Sequence, residues 1–215
     1  MSLIPAEHLK QIFSVEAKFY HVEIEDEKIL MRREARIRRN GVFTTRADAV
    51  IVMINPSNCA QAGETVKSPV DAEWIPTKPN PTQYQLMNLM ERQEWNLITL
   101  INLSDICEGN IGNFKIIENK FNRTGISHSL FQEDNVQDRE ALLASADHLI
   151  FAWGSSTVAK RLAAHFGLFQ EGSPEKSYEH AKALVAADNG FPRHPKPATV
   201  ADRVVWLEKM DALFQ

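Results

Sequence analysis

The chain has 215 residues, of which 44% are hydrophobic and 24% charged, and carries a formal net charge of −4. A chain of this length and ordinary composition builds one full core, so a single domain over residues 1–215 is expected, soluble and cytoplasmic by default, with its oligomeric state open. No apolar run reaches membrane-span length, residues 1–10 lack a secretory pattern, and two cysteines, Cys59 and Cys107, exclude both a disulfide framework and a four-cysteine metal site; the acidic balance argues against a general polyanion binder but leaves room for a local basic face.

Residues 4–13 suit a short amphipathic helix. Residues 17–24 alternate as a strand, residues 25–28 form a turn, and residues 29–39 return as a second strand. In that strand Ala35 and Ile37 face one way while Glu34, Arg36 and Arg38 face the other. Six arginines and one acid lie between Arg32 and Arg46. Two readings stand: a phosphate-contacting surface that includes Arg36 and Arg38, or a solvated hairpin face that blunts a sheet edge. Asn40-Gly41 then turns the chain towards the run Ala49-Val50-Ile51-Val52-Met53-Ile54, which stops at Asn55-Pro56-Ser57-Asn58. A β-branched run of this kind is a strand buried on both faces, as in a parallel sheet covered by helices. Pro56 makes its end a rigid turn, at the strand terminus where open α/β sheets bind ligands.

Residues 58–82 lack periodicity and carry four prolines around Trp74, a residue that either stacks on a ligand or anchors the loop. A helix is expected over 82–92, with Tyr84, Met87, Leu89 and Met90 on its apolar side. A second buried strand runs over 96–105 through Asn102 and again ends in small polar groups. Residues 111–126, rich in Asn and Gly, read as an insertion. A helix over 134–145, capped by Asp134 or Asn135, leads to a third buried strand from Asp147 into Trp153-Gly154-Ser155. The next helix covers 157–166 and is closed by Gly167. A polar loop over 171–179 and a short strand over 183–187 follow. Pro192-Arg193-His194-Pro195-Lys196-Pro197 is a stiff loop that pre-positions His194. The terminal helix spans 200–213, with Val204, Val205, Trp206 and Met210 offered to the core. Strand and helix alternate, so the expected fold is three-layer α/β/α with a central, mostly parallel four-stranded sheet. Residues 1–48 precede it as a helix and β-hairpin extension, and residues 49–215 form the core.

Four short blocks carry a resemblance. Ile54-Asn55-Pro56-Ser57, Leu100-Ile101-Asn102, Phe151-Ala152-Trp153-Gly154-Ser155 and His194-Pro195-Lys196-Pro197 occur in the order of motifs in the uracil-DNA glycosylase superfamily. The chain resembles that superfamily remotely, and looks closer to an uncharacterised bacterial family known as domain of unknown function 1643. The resemblance implies that Asn55 orients an attacking water, Asn102 reads the pyrimidine edge and His194 stabilises the departing base. Arg193, Lys196 and Ser155 would hold phosphates of single- or double-stranded DNA. No cofactor and no metal is implied.

Three departures shape the expectation. Asn55 stands where many members have Asp, and Asn cannot accept a proton. Ser57 replaces the Tyr that fills the space beside the pyrimidine 5-position, which leaves room for a 5-substituent. Ala198 replaces the Leu that wedges the base stack. The leading expectation is a metal-independent DNA glycosylase acting on a damaged or modified pyrimidine. Alternatives are a non-catalytic nucleotide or nucleic-acid binding module and a small-molecule nucleoside hydrolase. Repair and defence against foreign DNA both stay open. Gly-rich phosphate loops, dinucleotide fingerprints, zinc spacing and Gly-x-Ser-x-Gly are absent from the sequence.

Overall fold

The computed structural model describes residues 2–57 and 65–215. In chain order the elements are α1 (Ala6–Ile12), β1 (Phe13–Ile24), β2 (Glu27–Arg39), β3 (Ala47–Met53), β4 (Trp74–Pro76), α2 (Pro81–Arg92), β5 (Leu97–Asn102), α3 (Ile111–Thr124), α4 (Val136–Ala144), β6 (Ala146–Phe151), α5 (Thr157–His165), β7 (Phe169–Gln170), β8 (Ser173–Pro174), β9 (Lys182–Ala183) and α6 (Val200–Asp211). Cys59 and Asn58 lie outside the described residues.

Seven strands form one sheet in the order β4-β1-β2-β5-β3-β6-β9, and β7 and β8 pair separately. The four strands expected from the sequence, β5, β3, β6 and β9, run parallel. The sheet is larger than four strands because the hairpin does not stand in front of it. β2 pairs antiparallel with β5, and β1 and β4 continue outward. Without β2, the free side of β5 would expose an unpaired row of backbone donors and acceptors. β9 is two residues long, so the expected strand over 183–187 is mostly loop.

Both faces of the sheet are covered, which explains the uninterrupted apolar runs. In β3, Val50 and Val52 pack into one core layer with Phe114 and Phe121 of α3 and Val158 and Leu162 of α5. Ile51 and Met53 pack into the other with Leu9 of α1, Met87 and Met90 of α2 and Trp206 and Met210 of α6. The start of the parallel region is pinned by Asp48, whose carboxylate accepts the N–H groups of Asn96 and Leu97 at 2.7 and 2.9 Å. In α6 it is Leu207, rather than the 42%-exposed Val205, that joins Trp206 and Met210 in the core.

A β-bulge breaks the β1–β2 register. Lys18 opposes Glu34 while Phe19 opposes Arg32, so Arg33 is the extra residue. Ile29 and Met31 therefore belong to one core layer and Ala35 and Ile37 to the other, although all four share a parity. β2 runs against β5, which carries its first half, Arg32 included, to the rim where β5 ends.

Residues 111–126, read from sequence as an insertion, are part of the packed core. They form α3, with Phe114 and Phe121 fully buried two turns apart. The polar residues that suggested a loop mark the helix ends instead. Asn110 accepts from the N–H groups of Gly112 and Asn113 at the start, and Gly125 closes the helix at φ 68°. At α4 neither Asp134 nor Asn135 caps through its side chain, because the Asn135 amide instead donates to the Ser127 hydroxyl and the Ser129 carbonyl.

Candidate functional site

The carboxyl ends of β3 and β5 open into a cavity of about 410 Å³. Its wall includes Asn55 and Ser57 after β3, Asn102 at the end of β5, His194 and Lys196, Arg32 from β2, and Asn80 to Gln83 at the start of α2. Segments more than ninety positions apart in sequence thus meet in one place, and five of the ten residues singled out from sequence for catalysis, base binding or DNA contact share it: Asn55, Ser57, Asn102, His194 and Lys196.

Each wall residue is positioned by local structure. Pro56 ends β3 and turns the Asn55 amide inward, where its nitrogen donates to the Ile106 carbonyl at 3.4 Å and to the Glu108 carbonyl. The nitrogen being so used, the amide oxygen is the atom left to hold a water. Ser57 is exposed and sits at φ 61°, a left-handed conformation that costs a non-glycine residue about 1–2 kcal/mol. Strain of that kind collects at ligand sites.

Asn102 is fully buried, yet neither its amide nitrogen nor its amide oxygen has a hydrogen-bond partner. Leaving a buried donor and acceptor unmatched costs about 1–3 kcal/mol for each. An amide edge of this kind is complementary to a group that offers an acceptor and a donor side by side.

His194 is held by the prolines around it and by the N–H of Lys196, which donates to its Nδ1 at 3.1 Å. Burial, together with the Lys196 charge, moves its pKa below the ordinary value. A ring that accepts at Nδ1 and stays neutral carries its proton on Nε2, a tautomer assigned by that hydrogen bond. The close packing of this loop on the end of β6 shows at Gly154, φ 84°, where an added Cβ would stand 3.4 Å from the His194 Cβ.

The start of α2 is built by a capping box. The Asn80 side chain accepts from the Gln83 N–H at 2.9 Å, the Gln83 side chain accepts from the Asn80 N–H at 2.8 Å, and Pro81 opens the helix. The pattern Asn80-Pro81-Thr82-Gln83 was legible, although the sequence reading starts the helix at Thr82. Its positive end faces the cavity. Arg32 is the residue the sequence reading missed. It is 7% exposed, its Nε has no partner, and its guanidinium enters no ion pair among the described residues.

Other expected site residues lie elsewhere. Trp74 sits on the outer strand β4, with the Arg36 guanidinium 4.2 Å and the Lys18 ammonium 4.9 Å from its ring centre. It anchors an edge and does not line the cavity. Arg36 also pairs with Glu16 at 2.7 Å, and Arg38 donates to the Thr44 carbonyl at 2.8 Å, so both are committed within the protein. Arg193 and Ser155 are exposed on the segments flanking His194 and Gly154, outside the cavity wall. Among the described residues no group of three His, Cys, Asp or Glu side chains is placed to hold a metal ion, and no helix is long and apolar enough to cross a membrane.

The fold and cavity define an α/β protein with a polar pocket, lined by no acid among the described residues, on the carboxyl rim of its parallel strands. Residues 36–196 match the model of the family described as "Protein of unknown function (DUF1643)", and the chain belongs to that family. Nothing among the curated proteins matches the sequence. Among solved structures, the chain is similar to the feruloyl esterase module from Clostridium thermocellum complexed with sinapinate. The two are 10% identical at a TM-score of 0.35, over 98% of this chain and 66% of that one. The chain spans just under two thirds of that structure's length, and a likeness at this level carries no argument about fold or activity.

Proposed function

We propose that the cavity is the active site of a DNA glycosylase-like enzyme with a uracil-DNA glycosylase type of core, hydrolysing the N-glycosidic bond of a damaged or modified, 5-substituted pyrimidine. The observation that carries this reading is the meeting of Asn55, Asn102 and His194 in one cavity, with the Asn102 amide unpartnered and a neutral imidazole beside it. A parallel four-stranded core between two helical layers agrees with it.

Breaking the bond leaves the sugar C1′ electron-poor and puts the bonding pair on the base. A neutral Nε2–H aimed at a base oxygen stabilises that developing charge more than it stabilises the intact nucleotide. Asn102 matches an adjacent donor and acceptor on the base edge and fixes its orientation. Asn55 holds the water whose oxygen joins C1′, and the proton that this water loses ends on the departing base. Ser57 leaves space for a 5-substituent. Lys196, at the cavity wall, meets the backbone of the extruded nucleotide.

The absence of a carboxylate from the described cavity wall favours a second reading, a binding module of the same fold that recognises a nucleotide without cutting it. One assay separates them. Purified protein is incubated with end-labelled oligonucleotides carrying uracil, 5-hydroxymethylcytosine, glucosylated hydroxymethylcytosine, a G·T mismatch or hypoxanthine, single- and double-stranded. Alkali-sensitive breaks at one base, lost in His194→Ala, establish the glycosylase. Binding without breaks in both proteins establishes the module.

A further inference from the structure

We propose that the cavity receives an anionic group at its buried end, bound by Arg32, so that the base it accepts carries an acidic substituent. This deepens the preceding reading and rests on it for the pyrimidine alone. The anion itself follows from the charge of the cavity.

A guanidinium removed from water is costly unless a counter-charge and hydrogen-bond acceptors replace the lost hydration. Arg32 is buried, its Nε is unmatched, and it has no ion pair among the described residues. Its neighbour Arg33 shows the contrast, because the Arg33 Nε lies 3.4 Å from the Asp105 carboxylate. Asp105 bears on both guanidinium groups, but its direct ion pair is with Arg33, and Arg32, which lines the cavity, is left without one among the described residues.

The other charged group of the described wall has the same sign. Lys196 is a second cation with no ion-pair partner among the described residues, and the α2 N-terminus faces the space. No Asp or Glu belongs to the described wall, in a protein whose formal net charge is −4. Local positive potential here runs against the charge of the whole chain. Depth assigns the anion to the base rather than to the nucleotide backbone. Arg32, 7% exposed, is buried like Asn102 at 0%, whereas Ser57 and Lys196 lie at more open positions. A backbone phosphate stays at the mouth beside Lys196. A carboxylate or phosphate ending the 5-substituent reaches the guanidinium, whose planar fork matches it in two parallel hydrogen bonds.

The test compares charge at constant shape. Single-stranded oligonucleotides carrying one 5-carboxymethyluracil, one 5-carbamoylmethyluracil or one thymine are titrated with the intact protein by fluorescence anisotropy. Backbone phosphates are identical in all three, so a difference reports the substituent. The expected result is binding of the carboxylate about tenfold tighter than of the carboxamide, collapsing to about twofold in Arg32→Gln. Because the two probes differ only by an anionic oxygen replaced with NH2, which removes both the charge and one acceptor, the wild-type comparison stands even if Arg32→Gln does not fold. Equal affinity for carboxylate and carboxamide overturns the proposal, as does binding of none of the three. Free uridine 5′-monophosphate and 5-carboxymethyluridine form the second arm. A gain for the former and none for the latter assigns Arg32 to a backbone phosphate and also overturns it. Alkali treatment of the same samples scores cleavage separately, so loss of the glycosylase reading leaves the anion result to be read by itself.

Discussion

The backbone N–H of Lys196 donates to Nδ1 of His194 at 3.1 Å, and this one contact decides which ring nitrogen can act. A lone pair at Nδ1 is needed to accept it, and protonation would remove that lone pair. Burial also disfavours the charged ring, and the pKa lies below its ordinary position. The imidazole is therefore a neutral donor through Nε2–H at neutral pH. In an NMR titration the His194 signals are expected to move with a midpoint below about 6.5. The sign for stability follows: the contribution is present above about pH 6.5 and is lost as acidity increases through the lower folded pKa. If the cavity cleaves, His194→Ala lowers kcat by about 10²–10³-fold, and His194→Gln, which keeps an N–H, recovers part of it. Equal loss in both variants, with the fold intact, would count against the donor role.

Asn102 carries a different kind of prediction, because its two unmatched atoms weigh on the folded state. Replacing the amide by an apolar group of similar shape removes that burden. Asn102→Leu is expected to raise stability by about 1–3 kcal/mol, and to lift Tm by about 2–4 °C for each. The same variant should lose ligand binding altogether, since a base edge would then face methyl groups. Thermal melting and titration of one oligonucleotide on the same preparation check both halves. A variant that is less stable than the parent would show that Asn102 is paired in solution, and the argument for a waiting ligand would fail with it.

The fold was legible where one physical signal dominated. Val50 to Val52 and Leu97 to Ile101 announced strands covered on both sides, and they are. Asn55, Asn102 and His194 stood out in the sequence because each lies at a strand end or beside a proline: Asn55 precedes Pro56, Asn102 ends β5 and His194 precedes Pro195. The signal failed where polar residues serve a helix end rather than a loop. Asn110 and Gly125 bracket α3, and without Phe114 and Phe121 read together at a spacing of seven, the segment looked like an insertion. Arg32 was hidden for another reason. Its place depends on β2 pairing antiparallel with β5 and on the bulge at Arg33, and neither leaves a mark in a run of arginines. Long-range pairing was not readable from a local pattern.

Trp74 tests whether an aromatic among prolines belongs to the ligand or to the sheet edge. The Arg36 and Lys18 side chains flank its ring at 4.2 and 4.9 Å, and β4 pairs with β1 there. Trp74→Ala should lower stability by roughly 1–2 kcal/mol through loss of these cation–π contacts. Affinity for an oligonucleotide carrying the accepted base should change by less than about twofold. Urea unfolding and anisotropy titration measure the two effects. A tenfold loss of affinity at unchanged stability would return Trp74 to the ligand.

Asp105 gives the pH dependence of the fold itself. Its carboxyl is wholly buried, and burial pushes its pKa up to about 7 against the pull of Arg33 and of the Tyr20 hydroxyl, which donates to it at 2.8 Å. The folded value lies above the ordinary 3.8, so the native state binds a proton that the unfolded chain has already released. That stabilisation is complete below about pH 4 and is lost as pH rises through about 7. Melting curves between about pH 5 and pH 8 should therefore show a falling Tm. In Asp105→Asn the side chain cannot ionise, while its amide oxygen still accepts from Tyr20. The variant's Tm should be nearly level over this range, crossing the parent's towards the alkaline end. The parent's advantage at the acidic end therefore shrinks as pH rises, and Arg33, which faces an uncharged side chain in both proteins there, does not contribute to it. A parent protein whose Tm rises from about pH 5 to pH 8 would mean that Asp105 is ionised throughout, held by Arg33 more strongly than burial opposes it.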